Sequence, residues 1–202
     1  LQYVYPFTDS TTLPVKSSVT KATKEKKEED RVIHYLTTEE DTGIQRGVVA
    51  HKILELLDFN TLESESFITQ VENMVKNNLI SGEDVSLVDL EKLENAVNCF
   101  ADRVKGKKLY REQNFIAGLD SNKVFNKGDE KVLIQGIIDL LVIDENGAEI
   151  IDYKYSSLKK EGLVNKYRAQ LDLYALAVEG SLNIKVNKKT LVNVLSGEVV
   201  DF

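Results

Sequence analysis

Two aspartates and one lysine interrupt an otherwise apolar stretch of the sequence, residues 132–154 (VLIQGIIDLLVIDENGAEIIDYK). The Asn-Gly pair within residues 144–147 is typical of a tight turn, so this stretch is predicted to form a hairpin of two strands. Asp139 lies on the first strand, and Asp152 and Lys154 lie on the second. Because side chains alternate across a strand, Asp152 and Lys154 project from one face and the tyrosine between them from the other. Charges in an apolar hairpin are costly unless they pair or bind a metal, so these three side chains are candidates for a functional site.

A histidine and a glutamine on two predicted helices are further candidates. Residues 46–58 (RGVVAHKILELLD) have the pattern of an amphipathic helix, and His51 lies at the edge of its apolar stripe. Gln170 lies on an apolar face of the helix predicted over residues 163–178, one turn before Tyr174. Taken alone, His51 is more typical of a surface or core histidine. Gln170 fits a core glutamine bonded to a backbone carbonyl equally well, because a buried amide requires a polar partner.

These residue types together favour one kind of chemistry. Two carboxylates with an adjacent histidine suit a divalent cation that prefers oxygen ligands, Mg²⁺ or Mn²⁺, rather than zinc. A lysine beside metal-bound carboxylates can orient a water molecule and can stabilise negative charge on a phosphoryl oxygen. The set therefore suits metal-assisted hydrolysis of a phosphodiester, and a purely structural Asp–Lys ion pair is the alternative.

The composition excludes several classes of protein. A chain of 202 residues with 42% hydrophobic residues is long enough for one sizeable core. The net charge of −7 argues against a histone-like electrostatic binder, although an enzyme can still touch DNA through a local basic rim. The single cysteine, Cys99, excludes a disulfide framework, a cysteine zinc site and a cysteine-ligated iron–sulfur cluster within this chain.

The same sequence gives expectations about compartment. A chain with one cysteine suits a reducing cytoplasm, which we take as the expected location. No apolar run reaches membrane-spanning length and no signal peptide is visible, so no membrane partner is expected. The sequence begins at Leu1 rather than Met, which we interpret as an excised domain or a processed product.

The order of the predicted elements indicates the fold class. Helices come first, followed by strands, one buried helix and two short closing strands. The predicted helices are 46–58, 62–80, 86–101 and 163–178, and the strands are 108–119, the hairpin, and a pair within 183–202. Strands that cluster rather than alternate with helices favour an α/β or α+β domain with a mixed sheet.

The first part of the chain is predicted to lie apart from this domain. Pro6 and Pro14 lie among serines and threonines, and the charge run Lys21–Arg31 is typical of a solvated helix or a disordered linker. We therefore expect a lead-in segment over residues 1–31 and the domain over residues 32–202.

The candidate residues lie in short segments that resemble the RecB-type nucleases of the PD-(D/E)XK superfamily. The resemblance extends from about Leu13 to the end of the chain and includes LPVKSSVTK and LYREQNF, which are similar to the C-terminal nuclease domains of helicase/nuclease subunits of the AddA type. One D-x-K alone would be unspecific, but several ordered segments in the right context disfavour the ion-pair alternative. The segments that carry the candidate residues are GVVAHKILE with His51, IQGIIDLL with Asp139, IIDYK with Asp152 and Lys154, and AQLDLY with Gln170 and Tyr174.

The resemblance implies a fold, an activity and partners. The fold would be restriction-endonuclease-like, a mixed central sheet flanked by helices with an N-terminal helical portion. The activity would be that of a Mg²⁺-dependent DNA exonuclease, with Mn²⁺ possible, within a helicase–nuclease that processes double-strand break ends for recombinational repair. An upstream helicase domain and a second nuclease subunit would be partners of the full-length protein. This chain has no Walker loop, so no ATP site is expected here.

The resemblance also implies roles at the metal. His51, Asp139 and Asp152 would hold the cation, and the main-chain carbonyl of Tyr153 would be a further ligand. Lys154 would be the catalytic lysine, acting together with Asp139 and Asp152. The related CRISPR-adaptation nucleases that carry an iron–sulfur cluster share these motifs but require four cysteines, which this chain lacks.

Other residues would support the site. Gln170 and Tyr174 match the Q-x-x-x-Y motif of the family, which supports the site and positions DNA, and Glu112 matches an acidic residue of the subfamily. Candidate contacts to DNA phosphates are Lys159, Lys160, Lys166 and Arg168. Two alternatives remain at this point: a stand-alone exonuclease of the same superfamily, and a non-catalytic DNA-end-binding domain with a relic site.

Overall fold

The long hairpin of residues 132–154 lies at the centre of a six-stranded mixed sheet. The computed structural model describes residues 14–25 and 38–202. The strands are β1 (Lys16–Ser18), β2 (Lys108–Asp120), β3 (Lys131–Asp144), β4 (Gly147–Lys154), β5 (Val186–Asn193) and β6 (Val199–Asp201). The helices are α1 (Val19–Glu25), α2 (Thr38–Leu56), α3 (Phe67–Lys76), α4 (Gly82–Ser86), α5 (Leu90–Asn98), α6 (Ala101–Val104), α7 (Ser121–Phe125) and α8 (Lys160–Leu182). The predicted mixed α/β class is therefore confirmed.

Strand β3 organises the sheet because it pairs on both sides. Along one side it is antiparallel to β2 over nearly its whole length. On the other side its residues 133–135 pair in parallel with β1, and its residues 140–144 pair antiparallel with β4. Strand β5 then adds in parallel to β4, and β6 adds antiparallel to β5. On that second side, residues 136–139 of β3 lie between the residues paired with β1 and those paired with β4, and they pair with neither strand in the described part of the chain. This gap leaves room for a site.

Both faces of the sheet are covered, as the Ile, Val and Leu content of the hairpin predicts. Helices α2 to α6 pack on one face, where Leu140 and Ile151 join their apolar residues. Helices α1 and α8 pack on the other face, where Leu141 and Ile150 are buried. A smaller apolar cluster of Leu163, Leu171, Leu191 and Val200 joins the first half of α8 to β5 and β6. The catalytic candidates therefore lie on strands that are fixed by packing from both sides.

The helical region before the sheet is more divided than its sequence predicts. Three short helices begin at residues whose side chains accept a hydrogen bond from a main-chain N–H three positions later, namely Ser66, Ser81 and Asp89. Such N-caps fix the start of a helix, so the two helices predicted over 62–80 and 86–101 become α3 to α6. Residues 82–85, which lie between those two predicted helices, belong to α4.

Part of the predicted lead-in segment belongs to the domain. Residues 16–18 form β1 in the sheet, and Val19 and Ala22 of α1 are buried against β2 and β3. The sequence does not predict this strand, because it is short and polar. It is held in the sheet by pairing with residues that are distant in the sequence. The predicted boundary at residue 31 and most of the charge run Lys21–Arg31 lie outside the described residues. No helix in the described ranges is long and apolar enough to cross a membrane.

Candidate active site

The site forms where β3 and β4 separate. The two strands pair as far as Leu140 and Ile151. Beyond that point, the main-chain N–H of Tyr153 donates to Oδ2 of Asp139 at 2.8 Å. The carboxylate of Asp139 therefore lies in the gap between the strands and substitutes for a main-chain acceptor of the ladder.

Three potential metal ligands converge on this gap from three elements. His51 of α2, Glu112 of β2 and Asp139 of β3 each offer one ligand atom, and these atoms all lie within 4.8 Å of one another. Nδ1 of His51 is 3.6 Å from Oδ2 of Asp139 and 3.7 Å from Oε1 of Glu112. The sequence positions of the three are far apart, so the sheet and α2 bring them together.

Glu112 has an unusual backbone conformation. Its φ of 46° lies in the left-handed region, which residues other than glycine rarely adopt. Its neighbours Arg111 and Gln113 remain paired with β3, so the distortion is confined to this residue. A local conformation of this kind costs on the order of 1–3 kcal/mol and is concentrated at functional sites. Here the distortion occurs at the residue whose carboxylate joins His51 and Asp139.

The electrostatics of the group favour a cation. Burial raises the pKa of Asp139 to about 7, and repulsion from Asp152 adds to this effect. Burial lowers the pKa of His51, but a hydrogen bond to Glu112 and the charge of Asp139 outweigh it, so that the pKa of His51 is raised overall. Burial acts in opposite directions on the two groups, but neighbouring carboxylates raise both pKa values. Two carboxylates and an imidazole around such a space fit a divalent cation that prefers oxygen ligands.

Asp152 is fully buried beside this group rather than within it. Its Oδ2 lies 2.5 Å from Nζ of Lys154, and its Oδ1 accepts a hydrogen bond from Nε2 of Gln170 at 3.2 Å. Burial lowers the pKa of Lys154, but the charges of Asp152 and Asp139 outweigh it and raise the pKa overall. Lys154 is therefore an ammonium at neutral pH. Its charge offsets one of the two buried aspartates.

The main chain of Tyr153 also reaches the site. Its carbonyl oxygen is 3.1 Å from Nε2 of His51, a distance that suits a hydrogen bond and also suits two ligands of one cation. Its ring lies on the face of β4 opposite to the Asp152 side chain, where it is buried against Phe100 in the core formed by α2 to α6. The alternation predicted for Asp152 and Tyr153 is confirmed.

Helix α8 supports the site through a line of polar contacts. Gln170 donates to Asp152 and also to Oη of Tyr174 at 2.7 Å, so the partners of this amide are side chains of the site rather than a backbone carbonyl. The Tyr174 ring contacts Phe115 edge to face, with ring centres 5.7 Å apart. A Cβ atom on Gly136 would lie 2.9 Å from the Phe115 ring and 3.1 Å from the Tyr174 ring, so this close packing requires a glycine.

The candidate DNA contacts lie at the surface. Lys159, Lys160, Lys166 and Arg168 are all exposed. Two of them rest on aromatic rings: Nζ of Lys166 is 5.1 Å from the Tyr167 ring centre, and the Arg168 guanidinium is 5.2 Å from that of Phe202. These cations therefore lie at the end of the loop before α8 and along the first half of that helix.

Two residues contribute more to the site than the sequence indicates. Glu112 is predicted to have only a supporting role, yet it is one of the three convergent residues that could hold a metal ion. Its signal in the sequence is a charged residue in the middle of a strand. Tyr167 is not among the predicted site residues, yet its ring lies below the Lys154 ammonium. Its only signal in the sequence is an aromatic residue one turn before Gln170.

Comparison with known proteins gives a consistent result. Residues 25–198 match the PD-(D/E)XK nuclease superfamily. The chain is 26% identical over 235 residues to the A subunit of the ATP-dependent helicase/nuclease of Thermoanaerobacter sp. (strain X514), a match that covers 100% of this chain and 18% of that protein. The protein of the same name from Alkaliphilus metalliredigens (strain QYMF) is 29% identical over 201 residues, which covers 89% of this chain and 17% of that protein. The one from Alkaliphilus oremlandii (strain OhILAs) is 35% identical over 148 residues, which covers 68% of this chain and 12% of that protein.

The chain therefore spans less than a fifth of the length of these relatives. Among solved structures, the crystal structure of SSO0001 covers 91% of this chain and 73% of its own, at 13% identity and a TM-score of 0.36, a likeness too low to support a conclusion. The superfamily match covers most of the sequence, and the mixed sheet flanked by helices is the restriction-endonuclease-like arrangement. The chain belongs to the PD-(D/E)XK nuclease superfamily.

Proposed function

We propose that this domain hydrolyses phosphodiester bonds of DNA with Mg²⁺ as its cofactor. The observation that carries the proposal is the convergence of His51, Glu112 and Asp139 beside the buried Asp152–Lys154 pair. A structural ion pair would need only Asp152 and Lys154. The additional carboxylates repel one another, which is costly in a folded domain unless a cation is bound.

The cation would be held by the carboxylates of Asp139 and Glu112 and by the ring of His51. Asp152 and the Tyr153 carbonyl would complete the set, in keeping with the family resemblance. When bound, the cation would polarise a phosphoryl oxygen and lower the pKa of a water molecule. Mg²⁺ is favoured over zinc because most of these donors are oxygens, and Mn²⁺ is an acceptable substitute.

Lys154 would stabilise the charge that develops during hydrolysis. Its ammonium is protonated at neutral pH and pairs with Asp152 at one end of the site. A fixed cation in a water-poor environment stabilises negative charge on a phosphoryl oxygen and can orient the attacking water. Gln170 holds the other oxygen of Asp152, so this carboxylate cannot rotate freely.

DNA would bind mainly through phosphate contacts along the rim. The chain carries a net charge of −7, so attraction to DNA requires a local group of cations rather than a global field. The exposed cations of the loop before α8 and of its first half can supply this local charge, namely Lys159, Lys160, Lys166 and Arg168. Such contacts are independent of DNA sequence and weaken as salt increases.

We further propose that the domain acts as an exonuclease within a longer helicase–nuclease. Its relatives are named as the A subunit of an ATP-dependent helicase/nuclease and are more than five times longer than the matched region. In this proposal an upstream helicase domain and a second nuclease subunit cooperate with it in the cytoplasm, and it trims double-strand break ends for recombinational repair. A stand-alone exonuclease and a non-catalytic end-binding domain are the alternatives.

A cleavage assay separates these functions. The purified domain is incubated with end-labelled linear DNA, single- or double-stranded, and with covalently closed circular DNA, in Mg²⁺, Mn²⁺ or EDTA. We expect metal-dependent loss of linear DNA from its ends, no cleavage in EDTA and survival of the circles. DNA binding without cleavage in either metal would instead support the end-binding alternative.

A further inference from the structure

The Lys154 ammonium has two neighbours with different chemistry. Oδ2 of Asp152 lies 2.5 Å from Nζ, and the centre of the Tyr167 ring lies 4.8 Å from it. The lysine side chain is only 16% exposed. A cation over the face of an aromatic ring is attracted by the negative ring face, and this attraction is strongest where water is excluded. Tyr167 is therefore a second electrostatic partner of this lysine.

One partner alone does not fix a lysine. Its ammonium is a compact charge on a flexible chain of four carbons, and its donors rotate freely. A single carboxylate constrains one distance but leaves the ammonium free to swing around it. A ring on another side removes this freedom, so that the remaining N–H groups point in one direction.

Tyr167 is itself held in place. It packs against the apolar cluster that includes Leu163, Leu171 and Leu191. On α8 it lies one turn before Gln170, which binds Asp152. One turn of this helix thus contacts both members of the Asp152–Lys154 pair.

We propose that Tyr167 is a positioning residue, whose ring face holds the Lys154 ammonium in the orientation needed for phosphodiester cleavage. This inference rests on the proposed nuclease function, since it concerns the lysine that acts there. The ring acts on the chemical step through Lys154, so its loss should slow that step. The centre of the same ring lies 5.1 Å from Nζ of Lys166, but this lysine is one of several candidate phosphate contacts, so substrate binding should change little.

The test compares variants at position 167 by kcat and KM in the intact chain with Mg²⁺. We expect Tyr167→Phe to retain kcat, because phenylalanine keeps the ring face. Tyr167→Leu should lower kcat by about 2- to 30-fold with little change in KM, the range expected for loss of one cation–π contact. Phenylalanines with one, two and three ring fluorines at this position should lower kcat stepwise, because fluorine weakens the negative ring face while the shape changes little.

Phe202 provides a matched control. Its ring also lies near two cations, Arg168 at 5.2 Å and Lys189 at 5.3 Å, and it packs against the same apolar cluster as Tyr167. Phe202→Leu therefore removes an equivalent ring without touching the Asp152–Lys154 pair. We expect its kcat to equal that of the unmodified domain.

A second readout does not depend on activity. In the metal-free protein without DNA, the ring current of Tyr167 should shift the ε-methylene proton resonances of Lys154 upfield in NMR spectra. Tyr167→Phe should keep the shift and Tyr167→Leu should abolish it. If the unmodified domain cleaves no DNA, the proposed function fails, and this resonance alone decides the positioning role.

Two results would overturn the proposal: an unshifted Lys154 resonance in the unmodified protein, or unchanged kcat in both Tyr167→Leu and the trifluorinated variant. If Tyr167→Leu does not fold, the fluorinated series decides, because every member retains an aromatic ring of nearly the same size. A uniform kcat across that series would then refute the role of the ring face.

Discussion

Asp152 shows how strongly the charges of the site depend on one another. Its buried carboxylate has one cation, Lys154, and one amide, Gln170, as partners. The nearby carboxylate of Asp139 adds repulsion. Removing one member of a buried ion pair is costly because the other charge is left uncompensated. Single substitutions in this group should therefore change both chemistry and stability, and experiments must measure the two separately.

Lys154→Ala should lower the cleavage rate by about 10²- to 10³-fold, the usual cost of losing one preorganised contact to developing charge. DNA affinity should change little, because it arises from many phosphate contacts. Single-turnover rates and DNA binding in EDTA measure the two effects. As a control, Lys159→Glu combined with Lys160→Glu should do the opposite, weakening binding and flattening its salt dependence. Cleavage at the unmodified rate by Lys154→Ala would falsify the mechanism.

Gln170→Ala should reduce cleavage by about tenfold while the domain remains folded. The glutamine amide donates to both Asp152 and Tyr174, so its loss frees one oxygen of the buried carboxylate. An unpaired buried acceptor costs about 1–3 kcal/mol, and part of that cost should appear in the positioning of Asp152 and Lys154. Thermal unfolding and kcat measured on the same sample test this expectation.

Gln70 is a natural control for this experiment. It is 6% exposed and bonds to main-chain groups of Asp58 and Glu65, neither of which is a candidate site residue. Gln70→Ala should lower stability without lowering the activity of the folded fraction. If the two variants behave alike, Gln170 is an ordinary core glutamine and its assigned role is wrong.

At the scale of the elements, Gly136 of β3 packs closely against the Tyr174 ring of α8. Gly136→Ala should destabilise the domain by about 1–3 kcal/mol, the usual cost of overpacking. Its new methyl group would press on the rings of Phe115 and Tyr174. Because Tyr174 binds Gln170, activity should fall as well, and Phe115→Leu in the same chain should restore part of both losses.

Gly180 is the matched control for Gly136 because no atom lies within 4 Å of a Cβ placed there. It lies within α8, where alanine is favoured over glycine by about 1 kcal/mol, so Gly180→Ala should stabilise the domain. Denaturant unfolding gives both values. Equal stability changes at the two positions would argue against tight packing at Gly136.

The elements differ in how well the sequence predicts them. The hairpin β3–β4 and helix α8 follow from local signals, an Asn-Gly turn between apolar runs and a long apolar helix pattern. Strand β1 does not, because it has three residues, two of them serines, and gains its place by pairing with distant β3. The sequence predicts Asp139, Asp152 and Lys154 as a group for the same reason: they share one hairpin.

Glu112 illustrates what local reasoning cannot reach. Its left-handed φ is atypical for glutamate, so no propensity predicts it. The residues on both sides of Glu112 are paired with β3, and Glu112 itself lies opposite Asp139. Glu112 therefore joins His51 and Asp139 because the sheet places it beside them. The family resemblance alone indicates only a supporting acidic residue.

Across the molecule as a whole, the last strand is joined to the helical layer by an ion pair. Asp201 of β6 accepts hydrogen bonds from Arg103 of α6 at 2.9 and 3.1 Å and from Thr190 of β5 at 2.9 Å. Burial raises the pKa of Asp201, but these hydrogen bonds and the charge of Arg103 outweigh it, so the pKa is lowered overall. This network links α6 to β5 and β6, which lie far from it in sequence.

The lowered pKa fixes the sign of a pH effect. A carboxyl whose pKa falls on folding stabilises the native state above its unfolded pKa of about 3.9, and this stabilisation is lost as pH falls through the folded value. Asp201→Asn should therefore lower stability at about pH 7, by a modest amount because the carboxylate is 41% exposed, and the gap should shrink towards about pH 3. Urea unfolding at both pH values tests this. A constant gap would contradict the assignment.

The proposed function depends above all on a divalent cation held by the buried carboxylates beside Lys154. Anomalous diffraction from crystals soaked in Mn²⁺ can locate this cation, since manganese is identified by its own scattering. We predict a peak among His51, Glu112 and Asp139, about 2–2.5 Å from carboxylate oxygens and within reach of Asp152. An anomalous peak elsewhere, with none between these side chains, would contradict the proposed metal site and the hydrolysis that depends on it.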